Sequence, residues 1–264
     1  MEMKIATLAQ PFEFKASENP VLQIILIHGF TASPSEIKPL GEYLFDKSEK
    51  KYMVRSILLP GHGIDGEEGY KALDSVSNID WKNYCLTKVL EFSEEYVCPI
   101  VLIGLSMGAL LVIHLLVNSS VREKCLGGVL LSPALYMQSK FLPIIKYLKY
   151  FIKYQPKGLE SEQFYKEHNL FSYTIRSIHG VDELRKLAKS TRPLVKEINN
   201  PLLTFLSQND DVVDVKKTSN HMANIASNFT YENSSLGHIL TVFPESKTIF
   251  DEIHLWIEKL LKKG

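Results

Sequence analysis

The segment Gly104-Leu105-Ser106-Met107-Gly108 places a serine between two glycines, each two residues away. It follows an apolar run, Ile100 to Ile103, and opens a very apolar stretch, Ala109 to Val117. A strand-to-helix turn of this kind projects a serine hydroxyl above a sheet, and the glycines let the two backbones approach closely enough for it. Such a hydroxyl is a poor nucleophile at neutral pH until a base takes its proton. The chemistry to look for is therefore acyl transfer through Ser106, assisted by a histidine and an acid that orients it.

Of the eight histidines, His28 and His62 lie in glycine turns, His114, His221 and His254 in helical patterns, and His168 and His179 in a stretch without strand pattern. His238 alone follows a late strand-like segment (Phe229 to Glu232) and Gly237 and precedes the final helix. A loop beyond a strand end lets a base lean over the nucleophile, so His238 is the expected base. The acid should lie between serine and base in the chain, at a strand end. There Leu202 to Leu206 runs into Ser207-Gln208-Asn209-Asp210-Asp211-Val212-Val213-Asp214. Asp210 comes first after the strand and is favoured. Asp211 is expected to face solvent and Asp214 to cap the next helix, while Val212 and Val213 anchor the loop. His28-Gly29-Phe30 ends another apolar run, and the backbone amides of Phe30 and Met107 are the expected oxyanion donors.

Several elements must hold these groups in place. Val21 to Ile27 and Val54 to Leu59 read as strands buried on both faces. Ser33-Pro34-Ser35-Glu36 has serine, proline and glutamate where a capping box wants them, predicting a helix start. Trp81 to Tyr96 is helical, Gly128 to Leu131 is a further strand, and Glu245 to Leu261 is an amphipathic closing helix. Alternating strands and helices predict an α/β fold with a mostly parallel sheet, helices on both faces and the site at the carboxyl ends of the strands. Residues 1–134 and 202–264 form the expected core. Residues 135–201, rich in aromatics and lysine, break the rhythm and read as a small helical cap insertion. Within it, residues 141–154 are expected to form a basic amphipathic helix with a lysine edge at Lys146, Lys149 and Lys153. That helix could pack on the sheet, roof an acyl pocket or approach an anionic lipid surface.

Composition narrows the class. Hydrophobic residues make up 45% of the chain and charged residues 23%, an ordinary globular balance. Thirty basic residues offset thirty acidic ones, so net charge draws the chain to neither nucleic acid nor membrane. Cys85, Cys98 and Cys125 have no disulfide or zinc-site spacing, and the first residues carry no signal-like apolar run, so a cytoplasmic setting is expected. Neither metal spacing nor a phosphate loop occurs, so no cofactor is expected. The turn Pro60-Gly61-His62-Gly63 reads as a rigid turn, with a place for His62 near an acyl pocket as the alternative.

HGF at 28–30, PGHG at 60–63, GLSMG at 104–108, NDDVVD at 209–214 and LGH at 236–238 resemble the bacterial carboxylesterases and monoacylglycerol lipases of the α/β-hydrolase superfamily. The resemblance covers nearly the whole chain. It implies an eight-stranded sheet under a small helical cap, no cofactor, and the chain order serine, aspartate, histidine, with Asp210 matching the acid and His238 the base. Ser207 departs from the pattern, since many members have glycine three residues before the aspartate. The implied substrate is a small carboxylic ester with an uncharged acyl chain, a short-chain ester or a monoacylglycerol. An acyltransferase, thioesterase or amide hydrolase would use the same triad, and a non-catalytic binding module would need none of it.

Overall fold

In the computed structural model, which describes residues 4–138, 144–223, 225, 228–233 and 236–262, the apolar runs assemble into one central sheet. A two-residue strand, β1 (Glu13–Phe14), precedes β2 (Leu22–Ile27), which is buried along its whole length. Leu22, Ile24 and Leu26 enter one core and Ile25 and Ile27 the other, as the alternation of side chains on a doubly covered strand requires. Next come α1 (Lys38–Lys47), β3 (Tyr52–Ile57), α2 (Glu67–Ala72) and α3 (Asn78–Glu95), the last opened by a reciprocal capping box between Ser77 and Asp80. β4 (Ile100–Leu105) runs into α4 (Met107–Leu116), and α5 (Ser119–Arg122) leads to β5 (Cys125–Leu131). Beyond β5 the chain carries α6 (Ile145–Leu148), β6 (Tyr154–Pro156), α7 (Leu159–Glu167), β7 (Ile175–Ser177) and α8 (Ile178–Thr191). β8 (Leu202–Ser207), α9 (Val215–Met222), β9 (Asn228–Asn233) and α10 (Ser246–Leu261) complete it.

The sheet order is β1-β3-β2-β4-β5-β8-β9. The six strands from β3 to β9 are mutually parallel, and β1 pairs antiparallel with β3 at the edge. The expected eight strands are therefore seven among the described residues. Ahead of β2 the chain spends Thr7–Ala9 on a 3-10 turn, and Pro11 has no N–H to pair, so only Glu13 and Phe14 join the edge. Trp81, Cys85 and Val89 of α3, the apolar body of α4, and Leu184, Leu187 and Ala188 of α8 cover one face. Leu40 and Leu44 of α1, with Ile249, Ile253 and Ile257 of α10, cover the other.

The stretch between β5 and β8 is not purely helical, because β6 and β7 pair as a small antiparallel sheet. The long amphipathic helix expected over 141–154 is not formed: residues 141–143 lie outside the described residues, and α6 has only four. Tight bonds from Tyr150 N to Tyr147 O and from Phe151 N to Leu148 O end it, and Ile178 N donating to Lys153 O draws the chain into β6. Tyr147, Tyr150 and Phe151 are 60%, 78% and 86% exposed, so they neither pack on the sheet nor roof a pocket. Lys149 leaves the lysine edge to bond the buried carboxylate of Asp182 at 2.8 Å.

The crossing of α4 over the sheet is the fold's tightest contact at the future site. A Cβ on Gly108 would lie 2.1 Å from the Ile27 carbonyl oxygen, and one on Gly104 would lie 2.3 Å from the Gly108 carbonyl carbon. Backbone cannot yield as a flexible side chain would. Gly108→Ala should accordingly destabilise the protein by about 3 kcal/mol or more. Gly158→Ala, where an added Cβ meets nothing within 4 Å, should stay within about 0.5 kcal/mol of the wild type. Urea unfolding of both variants checks this, and equal midpoints would refute the contact.

Candidate active site

Ser106 sits between β4 and α4 with φ 55° and ψ −109°, a strained conformation for a residue with a side chain, costing of order 1–3 kcal/mol. The strain is held by its surroundings. Ser106 N donates to Leu131 O at 2.8 Å, and its carbonyl accepts Ala134 N at 3.3 Å. The residue is 7% exposed, so little of it meets solvent. Met107, the first residue of α4, brings its amide to the positive end of the helix.

The His28-Gly29-Phe30 loop lies beside the serine: a Cβ on Gly29 would be 3.3 Å from Ser106 Cβ. Side chains pin both polar groups of Gly29. The Gly29 amide donates to Glu36 Oε1 at 2.5 Å. His28 accepts Leu59 N on Nε2 at 3.1 Å, which leaves the proton on Nδ1 to bond Gly29 O at 2.8 Å. Burial, and secondarily the neighbouring His62, push His28 well below the ordinary imidazole value, so it stays neutral. The Phe30 ring faces Trp81 and His62 edge-on, with centroids 6.1 Å from each, and its rim meets α8 at Gly180. Burial lowers His62 to about 4, and its ring packs beneath Phe30, Trp81 and Tyr173.

Asp210 and His238 meet across two loops, with His238 Nδ1 2.7 Å from Asp210 Oδ2. The other carboxylate oxygen accepts the amides of Val212 and Val213, each at 2.8 Å. Burial alone would raise the Asp210 carboxyl. The hydrogen bond and charge of His238, with the two valine amides, outweigh it and hold the group below the usual carboxylate range. Asp210 is thus an anion at neutral pH, and His238 presents Nε2 outward. Among the described residues Ser106 Oγ makes no hydrogen bond to His238, a contact that in unliganded sites often tightens only with substrate.

Asp211 is exposed, and Asp214 caps α9 through Lys217 N at 3.0 Å. The two valines divide the work: Val213 is fully buried, whereas Val212 is 38% exposed and contributes backbone, its amide to Asp210 and its carbonyl to Gln138 N at 2.8 Å. Gln138 fastens the loop by donating to the carbonyls of Asp210 at 2.8 Å and Val213 at 2.9 Å. Ser207, the departure from the family pattern, donates its hydroxyl to the carbonyl of Leu236, two residues before His238. It ties the loop of Asp210 to the loop of His238.

Sequence reasoning missed three contributors. Glu36 was expected to close a capping box on Ser33, but Ser33 Oγ accepts Ser35 N, over a short 3-10 turn, and the carboxylate turns to Gly29. Lys157, from the stretch between β6 and α7, reaches Thr31 Oγ1 and Ser172 Oγ, each at 2.6 Å. Burial, aided by Arg176, lowers it to about 7 against the pull of Glu36. Gln138 carried no motif. Glu36 is 2% exposed, a burial that its polar sequence neighbourhood, Thr31 to Lys38, gives no sign of. Among the described residues, no cluster of three or more His, Cys, Asp or Glu side chains is placed to hold a metal ion.

A family model described as serine aminopeptidase, S33, matches residues 18–233. A carboxylesterase of Bacillus subtilis (strain 168) is 26% identical over 270 residues, covering 98% of this chain and 99% of that protein. A structure from work on LipS and LipT, two metagenome-derived lipolytic enzymes, superposes with a TM-score of 0.81 at 19% identity, covering 97% of this chain and 100% of that one. The Paleococcus ferrophilus monoacylglycerol lipase gives 0.74 at 18% identity, with 100% of both chains covered.

The hydrogen-bond pattern ranks the aspartates. Asp210→Asn should lower kcat by about 10³–10⁴-fold, by removing the charge that fixes the imidazole tautomer. Asp211→Asn should change it less than about threefold, as surface substitutions do. Steady-state hydrolysis of a chromogenic ester decides, and the reverse ranking would move the acid to Asp211.

Proposed function

The chain belongs to the serine aminopeptidase S33 family of α/β-hydrolases, and from that premise we propose that it hydrolyses carboxylic esters with an uncharged acyl chain, through an acyl-enzyme on Ser106. The observation that carries this reading is the 2.7 Å bond between His238 Nδ1 and an ionised Asp210, on loops beyond the same sheet edge as the serine elbow. Ser106 Oγ attacks the ester carbonyl as His238 Nε2 takes its proton, and the Phe30 and Met107 amides hold the resulting oxyanion. The alkoxide leaves with the proton from His238, and water repeats the sequence to release the acid. The aromatic and aliphatic surroundings of Phe30, namely Trp81, His62 held neutral, and the α8 backbone, support an apolar rather than charged acyl group. The kinship with a carboxylesterase over nearly the full chain supports an oxygen ester.

The name of the family favours a second reading, hydrolysis of an aminoacyl amide by the same groups. Paired assays of nitrophenyl esters and aminoacyl nitroanilides separate the two, and faster turnover of the anilides would overturn the ester assignment. Fluorophosphonate should label Ser106 stoichiometrically. Ser106→Ala should abolish labelling and lower turnover by at least about 10³-fold while keeping the wild-type melting temperature.

The exposed Tyr147, Tyr150 and Phe151 beside exposed Lys146 and Lys153 support a weak contact of this stretch with an anionic lipid surface. No described helix is long and apolar enough to cross a membrane, so such contact would be peripheral. The three free cysteines fit a cytoplasmic setting. Sedimentation with anionic vesicles should retain the wild type and lose a variant carrying Tyr150→Ser and Phe151→Ser. Equal recovery of the two removes the lipid contact.

A further inference from the structure

Glu36 is 2% exposed, and its carboxylate reaches back seven residues to the Gly29 amide at 2.5 Å instead of to Ser33. An acid that served only to start a helix would remain at the helix end. This one lies against the loop that leaves β2: a Cβ on Gly29 would meet Glu36 Oε1 at 2.9 Å and Ser106 Cβ at 3.3 Å. Carboxylate, Gly29 and serine are thus packed into one small space. The other face of Gly29 is held by His28 Nδ1 on its carbonyl oxygen, at 2.8 Å. Because a peptide unit is planar, the direction of the Gly29 carbonyl fixes the opposite direction of the Phe30 N–H. The Gly29 amide fixes where that unit begins.

We propose that Glu36 is a positioning residue for the oxyanion hole: its carboxylate anchors the Gly29 amide and so aims the Phe30 N–H at the oxygen that becomes negative. Glu36 does not touch the substrate, and the proposal rests on Ser106 as nucleophile and the Phe30 amide as an oxyanion donor. His238, from the loop after β9, and Lys157, from the stretch between β6 and α7, are the ionisable groups that bear on it. Burial pushes the Glu36 carboxyl up to about 7, with the Gly29 hydrogen bond, His238 and Lys157 pulling the other way. Protonated or ionised, the group keeps one oxygen free to accept the Gly29 amide. An amide side chain of the same length keeps such an oxygen too, whereas a methyl does not.

The test compares wild type, Glu36→Gln, Glu36→Asp and Glu36→Ala for kcat and KM on a nitrophenyl ester, and for inhibition by a trifluoromethyl ketone. The ketone becomes an oxyanion when the serine adds to it, so its affinity reads the hole directly. Glu36→Ala should lose about 10- to 100-fold in kcat, short of deleting a donor. It should lose ketone affinity by a similar factor while KM moves less than about threefold, the pattern of an interaction made only in the transition state. Glu36→Gln should recover to within about fivefold of wild type, the scale on which a retained neutral acceptor differs from a charged one. Glu36→Asp, which keeps the charge but cannot reach Gly29, should resemble alanine, and it carries the test if the alanine variant does not fold. Unchanged kcat and ketone affinity in Glu36→Asp, or equal losses in Gln, Asp and Ala, overturn the proposal. A wild type inert to fluorophosphonate refutes instead the assignment of Ser106.

Discussion

The backbone of α4 rests on the backbone at the end of β2, and the site is a consequence of that contact. β2 and β4 are parallel neighbours with Ile27 beside Gly104, so their carboxyl ends finish together. The chain leaving β4 must turn sharply to clear the loop that leaves β2. Gly108 permits the crossing because nothing larger than hydrogen fits against the carbonyls of Ile27 and His28. The positive φ of Ser106 is the conformational cost of turning so abruptly. In return, the loop at Gly29 and the first residue of α4 end beside a single serine, one after a strand end and one at a helix start.

Asp210 and His238, the proposed acid and base, rest on a different device. Asp210 is almost fully buried, and a bare carboxylate there would be expelled or protonated. Three donors prevent it: two amides from the next turn of its own loop and the imidazole of His238. The same bonds that make burial tolerable also fix which oxygen faces the histidine. β8 and β9 are parallel and adjacent, so the loops that leave them are neighbours. Ser207 joins those loops by a hydroxyl that a glycine at its position would lack. The departure from the family pattern is in this chain a cross-link between the loop of Asp210 and the loop of His238.

How far the molecule was legible in its sequence depends on how local each determinant is. The interior strands were plain because covering both faces makes nearly every residue of a strand such as Leu22–Ile27 apolar. Asp214 as a cap was readable from its place before α9, and Asp210 from its place after β8. The sheet edge was not: a two-residue strand such as Glu13–Phe14 has no periodicity to read, and inference from resemblance supplied eight strands where seven are described. The residues between β5 and β8 misled for the opposite reason. Isoleucine, tyrosine and lysine at three- and four-residue steps satisfy a helical pattern, yet the pairing of β6 with β7 takes the chain away after four helical residues. Periodicity cannot weigh a tertiary pairing against a local preference.

Glu36 shows the same limit from the side of function. Its spacing from Ser33 fits a capping box, and the local rule gives the carboxylate to the Ser33 amide. The Gly29 amide competes for it, and Gly29 is the stronger claimant because it is a buried donor at a strand end with no next strand residue to pair. Helix α1 tolerates the loss, since its first turn is preceded by a 3-10 turn whose bonds and proline already satisfy or remove donors. The loop at Gly29 has no such substitute. It is bound further by the stretch between β5 and β8, where Tyr173 N and Ser172 Oγ donate to Thr31 O, and Lys157 to Thr31 Oγ1. Thr31 itself has a positive φ of 63°, a conformation held by its surroundings rather than by its own preference. The stretch that covers the site and the loop that would stabilise the oxyanion therefore share one set of hydrogen bonds. Displacing the Lys157 and Ser172–Tyr173 stretch would release Thr31, and with it the frame that holds Phe30.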